Sequence, residues 1–309
     1  MLLSFAFLAC EAQTVSKEVH KPRDLWAITF SPDGKYYAFG GDDSTLHINS
    51  AADHQLLHQY KMNSAIKNMD WQADNIIAIA TMKEIQLFNF STKQFNLVQN
   101  IGGARGMRWN KKGTVLGVAG NGIVYLVSKE GKLLHSFKKH NNTSFMALDW
   151  HPVNNSIVTV TDEIIVFDSI GKQLAFINHR KERAGILSVA FHPSDDFFAT
   201  GDYGHESEGI PTLLQFWKTD GTLIKTINGN KSEIRNLRWS PDGKLLAVAS
   251  DALRIYDRDG NLVAENKTLN HNLWGITWNN TGDKIFTASF DGSHVHVWNS
   301  KAELLKQVH

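Results

Sequence analysis

Trp26 and Trp274 stand in nearly the same hexapeptide, LWAITF and LWGITW, near opposite ends of a 309-residue chain. Each lies four residues before a second aromatic, Phe30 or Trp278. Five more aromatics occupy that second position along the chain: Trp71, Trp109, Trp150, Phe191 and Trp239. Four residues before these stand Lys67, Arg105, Met146, Leu187 and Arg235. Cations interleaved with indoles suit recognition better than bond-making. Guanidinium and ammonium groups pair with carboxylates, and Trp and Arg are the side chains that dominate binding hot spots. A Trp here could equally stack on a neighbouring unit, and both readings stay open.

Catalytic chemistry has little to build on. The 14 histidines are scattered, with no His-Glu-x-x-His, no cysteine pair and no glycine loop shaped to cradle phosphate. The expectation is a non-enzymatic protein with no catalytic residues, no cofactor and no metal. The balance of 32 basic and 31 acidic residues gives a net charge of +1, so no global field favours nucleic acid or a membrane surface. An apolar fraction of 42% with 10% aromatics fits a folded chain.

The N-terminus differs from the rest. LLSFAFLA is an apolar run too short to span a bilayer, and it matches the apolar region of a secretory signal. Three readings remain open: cleavage after Ala12 with Gln13 as the first mature residue, lipidation at Cys10, or an N-terminal strand on a cytoplasmic protein. The expected division is residues 1–12 as signal and 13–309 as one domain, with the mature chain exported. Cys10 is the only cysteine. Contact with a membrane is expected only through a lipid on that thiol.

The elements that must position the tryptophans and cations come from a repeat. ITFSPDGKYYAFGG returns as MDWQADNIIAIAT, MRWNKKGTVLGVAG, LDWHPVNNSIVTVT, VAFHPSDDFFATGD, LRWSPDGKLLAVAS and ITWNNTGDKIFTAS. The seven anchoring aromatics are spaced by 41, 38, 41, 41, 48 and 39 residues, a period that indicates an array of similar units. The sixth unit reads as four strands: IRNLRW, KLLAVAS, ALRIYD and NLVAE, joined by turns such as SPDG and RDG. No segment shows a helical apolar period. A four-stranded sheet cannot cover both faces alone, so the units must pack on one another.

These features together resemble the WD40-repeat family over residues 20–309. The family's Trp-Asp pair falls on Phe88-Asn89, Phe167-Asp168, Trp217-Lys218, Tyr256-Asp257 and Trp298-Asn299, and its Gly-His is closest at Gly229-Asn230. The resemblance implies an all-β, seven-bladed WD40-like β-propeller with four-stranded antiparallel blades. Because a literal Trp-Asp is absent, the buried Asp-His-Ser-Trp hydrogen-bond network is expected to be missing, with packing holding each blade. ELLKQV should be the last blade's own outer strand, and TVSKEVH could pair beside it.

The same resemblance places the residues four before each anchor on the narrow face around the central channel. Ring closure would then join Arg235, Trp274, Trp26, Lys67 and Arg105 into one arc across five blades. Weaker rim candidates are Arg180, Arg183, Tyr203, His205 and Phe290, around an insertion in the fifth unit, GDYGHESEGIPT, and a basic loop, NHRKERAG. Glu206 and Glu208 are expected to pair with Arg180, Lys181 or Arg183. The expected function is a scaffold that presents this face to a protein or peptide partner of acidic or aromatic character. The alternatives are a propeller enzyme with its site at the channel mouth, or a structural subunit of a larger assembly.

Overall fold

A computed structural model describes residues 24–71, 74–98, 101–138, 144–182, 184–290 and 292–308. Its 28 strands form seven sheets, each built from four consecutive strands. The single helical turn among the described residues is the 3-10 turn Glu206–Glu208. Blade 6 takes the form its sequence predicts, with strands Asn236–Trp239, Leu245–Ala249, Leu253–Asp257 and Leu262–Asn266 paired antiparallel in order. The seven-bladed propeller is therefore the architecture.

The turn chemistry explains why the repeat phrase contains Ser-Pro-Asp-Gly. Ser240 Oγ donates to Asp242 Oδ1 at 2.7 Å, and the Lys244 N–H donates to the same oxygen. These bonds, Ser240's first, hold the Asp242 carboxyl down at about 2. Gly243 follows at φ +73°, a left-handed conformation that side chains disfavour, and a Cβ there would meet His192 Cε1 at 2.6 Å. Ser31, Asp33 and Gly34 repeat the device in blade 1.

The core lies between blades, not within them. Trp109 of blade 3 buries against Ala78, Ile85 and Leu87 of blade 2, and Trp239 of blade 6 against Ala199, Leu214 and Phe216 of blade 5. Each such burial contributes roughly 1.5–3 kcal/mol. Three anchors also donate their indole N–H back to the innermost strand of the preceding blade: Trp150 to Arg108 O at 2.9 Å, Trp239 to Ala190 O at 3.3 Å, and Trp278 to Arg238 O at 2.9 Å. The ring closes between blades 7 and 1, where Phe30, Tyr37, Phe286 and Val297 share one cluster and the Phe30 and Phe286 rings meet edge-on at 5.0 Å.

The hydrogen-bond network expected to be missing is missing only in part. Trp217 Nε1 donates to Thr200 Oγ1 at 3.1 Å in blade 5, and Trp298 Nε1 to Thr287 Oγ1 at 2.9 Å in blade 7. Losing the Asp of Trp-Asp leaves the indole donor untouched, so this half survives wherever a Thr of the second strand faces a Trp of the third. In blade 6 an arginine occupies the interior instead. Arg254 is buried and reaches Asp251 at 2.8 and 3.0 Å, Glu265 at 2.6 Å and Asn230 at 2.9 Å.

Residues 1–12, including Cys10, lie outside the described residues, as do TVSKEVH and Arg183. No helix among the described residues is long and apolar enough to cross a membrane.

Candidate functional site

A local irregularity aims the residues that precede each anchor by four. In blade 1 the pairing register jumps from Leu25↔Gly41 to Ala27↔Gly40, leaving Trp26 as the extra residue of a bulge. The same jump isolates Lys67 in blade 2, Leu187 in blade 5 and Trp274 in blade 7. In blades 3, 4 and 6 the innermost strand begins just after that position, at Gly106, Ala147 and Asn236, which leaves Arg105, Met146 and Arg235 on the incoming loop. A bulged or pre-strand residue escapes the in-out alternation of a ladder, so its side chain can turn towards the end of the channel. Glycines opposite the bulge make room. A Cβ on Gly41 would lie 1.7 Å from Asp24 O, and one on Gly201 2.2 Å from Ile234 Cγ2.

All seven of these residues line one cavity of about 390 Å³ at the channel mouth. Trp26 and Trp274 meet across the seam between blades 1 and 7, ring centroids 5.9 Å apart and tilted by 30°. Lys67 Nζ lies 3.0 Å from the Trp26 ring centroid, and the Arg235 guanidinium 4.4 Å from that of Trp274. Phe290 also stacks on Trp274, at 4.3 Å and 11°. The order Lys67, Trp26, Trp274, Arg235 is thus a continuous run in which a cation flanks each outer end of the tryptophan pair. Neither Trp26 Nε1 nor Trp274 Nε1, both buried, has a hydrogen-bond partner among the described residues.

Positive charge dominates the cavity. Lys67, Arg105, Arg108, Arg235 and Arg238 line it, and among the described residues no Asp or Glu does, although Asp42 and Asp24 lie near enough to act on Lys67. Two of the five are compensated from behind: Glu233 pairs with Arg235 at 2.9 Å, and Arg108 lies between Asp70 at 3.1 Å and Asp149 at 3.7 Å. Those two buried carboxylates also accept backbone N–H groups of adjacent blades, from Trp109 at 2.7 Å and Phe191 at 2.8 Å. Burial nonetheless pushes Asp149 up to about 6 and raises Asp70. Lys67, Arg105 and Arg238 make no ion pair within 4 Å among the described residues. Lys67 feels the consequence: burial first, then repulsion from Arg105 and Arg235, pushes its amine down to about 8.

The opposite side of the mouth is different. Met146 and Leu187 from blades 4 and 5 line it together with Tyr203 from the blade 5 insertion. Tyr203 is 41% exposed and has the His205 ring 5.1 Å away, while His205 itself is held by a backbone bridge to Ile210 and does not line the cavity. Phe290 belongs with the tryptophans, as its stacking shows. Arg180 is corrected: its guanidinium is buried, bonding Asp202 at 2.7 Å, Pro211 O at 2.9 Å and Glu182 at 3.2 Å. It holds the insertion in place and does not face solvent, and Glu206 and Glu208 are not its partners. Arg108 and Arg238 were absent from the sequence reading. They stand one residue before their anchors, and reading that position around the ring would have found them beside Asp70 and Asp149.

No group of three or more His, Cys, Asp or Glu among the described residues is arranged to hold a metal ion.

Comparison with known proteins agrees with the architecture. The family described as WD domain, G-beta repeat, matches residues 13–49 and 171–206, and the anaphase-promoting complex subunit 4 WD40 domain matches residues 214–281. A probable cytosolic iron-sulfur protein assembly protein 1 from Candida glabrata is 28% identical over 38% of this chain and 38% of its own. The WD repeat-containing protein WRAP73 of Mus musculus is 20% identical over 85% of this chain and 50% of its own. Pre-mRNA-processing factor 19 of Oryza sativa is 33% identical over 23% of this chain and 12% of its own. The chain thus spans half or less of the length of these relatives. Seven four-stranded blades, a repeat of about 40 residues and these matches all make the chain similar to the WD40-repeat family.

Proposed function

We propose that this propeller is a non-enzymatic binding platform and that the channel mouth is where it takes a protein or peptide partner of acidic character. One observation carries the reading: a concave site lined by five cations and two tryptophans, with no carboxylate in its wall among the described residues. Field lines focus in such a cleft and raise the local concentration of anionic groups. Rigid indoles offer contact area at little entropic cost. WD40 propellers commonly mediate protein interactions, and the names of relatives that speak of iron-sulfur protein assembly, pre-mRNA processing and an anaphase-promoting complex subunit are in keeping with that role. The proposal includes export, resting on the apolar run before Cys10, with the mature chain starting at Cys10 or Gln13; intact mass of the native protein checks it. The test of the platform is capture from the native host by the chain and by Trp26→Ala and Arg105→Gln variants of unchanged melting temperature. A partner retained by the parent and lost by both supports the site, and a partner retained equally by all three removes it.

A further inference from the structure

The mouth is not uniform, and its asymmetry says more about the ligand than its charge does. Lys67, Arg105 and Arg235 come from blades 2, 3 and 6, with the tryptophan pair between them across the seam. Met146, Leu187 and Tyr203 face them from blades 4 and 5. A purely anionic ligand would leave this second wall covered by nothing it could desolvate usefully, and a purely apolar one would bury uncompensated cations. Resting on the platform reading above, we infer that the mouth recognises an extended peptide segment carrying both chemistries, an Asp or Glu side chain for the cationic arc and a large aliphatic side chain for the Met146–Leu187–Tyr203 wall.

The dimensions suit two side chains of one strand. In an extended peptide, residues i and i+2 point to the same side about 7 Å apart. A cavity of about 390 Å³ is of comparable width, roughly 7–9 Å if equidimensional. An acidic residue and an aliphatic residue separated by one position therefore enter together, while adjacent positions would point one of them away. Nucleic acid fits less well. Its binding needs cations spread along a track of phosphates, whereas here the net charge is only +1 and the uncompensated cations converge on one concavity.

The experiment is calorimetry of the full chain with blocked hexapeptides: one with Glu and Leu at i and i+2, one with Gln for Glu, one with Ser for Leu, and one with Glu and Leu adjacent. A single-stranded oligonucleotide serves as a further arm. The expected result is that each of the three altered peptides binds at least tenfold more weakly than the first. Arg105→Gln should erase the preference for Glu over Gln and keep that for Leu over Ser, and Met146→Ser should do the reverse. Both substitutions sit at the solvent edge, so circular dichroism should be unchanged. Equal binding of the Ser peptide, no binding of the Glu-x-Leu peptide, or tighter binding of the oligonucleotide each overturns the inference. If Trp26→Ala then still abolishes capture of a native partner, the mouth stands as the site and only the ligand chemistry is wrong; if it does not, the platform reading falls as well.

Discussion

Lys67 Nζ sits 3.0 Å from the centroid of the Trp26 ring, in the same cavity wall as Arg105 and Arg235. Two effects oppose each other in that contact. The indole face attracts the ammonium by about 0.5–2 kcal/mol. Burial first, then the two guanidinium groups, disfavour its charge and push the amine down to about 8 against the opposing pull of Asp42 and Asp24. Lys67 is only partly buried, so solvent screens much of this and the net cost is modest. Replacing it with a neutral residue of similar length should therefore stabilise the fold. Lys67→Met is expected to raise the melting temperature by about 1–3 °C at pH 7. The unfolded chain keeps the lysine proton to about 10.4 whereas the folded chain releases it near 8, so wild-type stability rises between those values and the gain shrinks. Scanning calorimetry from pH 7 to 10 checks both; a lower melting temperature for Lys67→Met would mean that the ring contact prevails.

The same amine should couple binding to pH. A carboxylate brought beside Lys67 restores its proton affinity, so binding an acidic peptide above pH 8 takes up a proton. Affinity should fall as pH rises through about 8, approaching tenfold per unit, and the fall should vanish in Lys67→Met. Titration calorimetry in buffers of different ionisation enthalpy measures the proton directly.

Trp26 and Arg235 test whether the cation-flanked tryptophan pair is a site or a packing motif. Trp26→Ala and Arg235→Ala should each weaken partner binding by about 2 kcal/mol, roughly thirtyfold, with the larger effect on the dissociation rate. Melting temperature should move little for Arg235→Ala, whose guanidinium is partly open to solvent. Lost stability with binding unchanged per folded molecule would make these residues structural.

Asp149 predicts an inverted pH dependence beneath the mouth. Its carboxyl is pushed up to about 6 by burial, against about 3.9 in an unfolded chain. The folded state therefore holds more proton between those values, and Asp149 loses stability as pH rises through them. The stability of wild type relative to Asp149→Asn should fall between about pH 4 and 6 and be flat above. Urea unfolding at half-unit pH steps reads this slope.

Blade 6 offers a test of its buried guanidinium. Asp251 and Glu265 are partly open to water, whereas Arg254 is not. Removing both carboxylates leaves a buried charge unpaired, so Asp251→Asn with Glu265→Gln should cost about 3–5 kcal/mol. Arg254→Met should cost less, because water can reach the carboxylates it abandons. Denaturant midpoints at constant slope decide the order.

The ring and the membership of the arc were legible because both follow from period. A residue four before each anchor must recur at one place in every blade, whatever its type. The aim of those side chains was not legible, because it depends on a register jump at Trp26, Lys67, Leu187 and Trp274 that an alternation pattern conceals. Arg180 shows another gap. Glu206 and Glu208 look like its partners in a string of letters, but they are exposed and no ion pair joins them to it. Asp202 is buried and must be paired, so it takes the guanidinium. Burial decides which charges meet, and burial is a property of the closed ring. The Trp–Thr bonds of blades 5 and 7 escaped for a related reason, since a sequence match to Trp-Asp weighs the acid and overlooks the indole donor.

The meeting of Trp26 and Trp274 across the seam has a consequence for when the protein can act. The two rings are 248 positions apart in the chain, and they become neighbours only when blade 7 docks on blade 1. During synthesis, a chain with six blades already displays Lys67, Trp26, Arg105 and Arg235, yet lacks the indole that joins them. If the mouth is the binding site proposed above, competence to engage a partner arrives with the last blade, all at once. On that reading an unfinished or truncated product would not compete for the partner, because the site would itself be a readout of a completed circle.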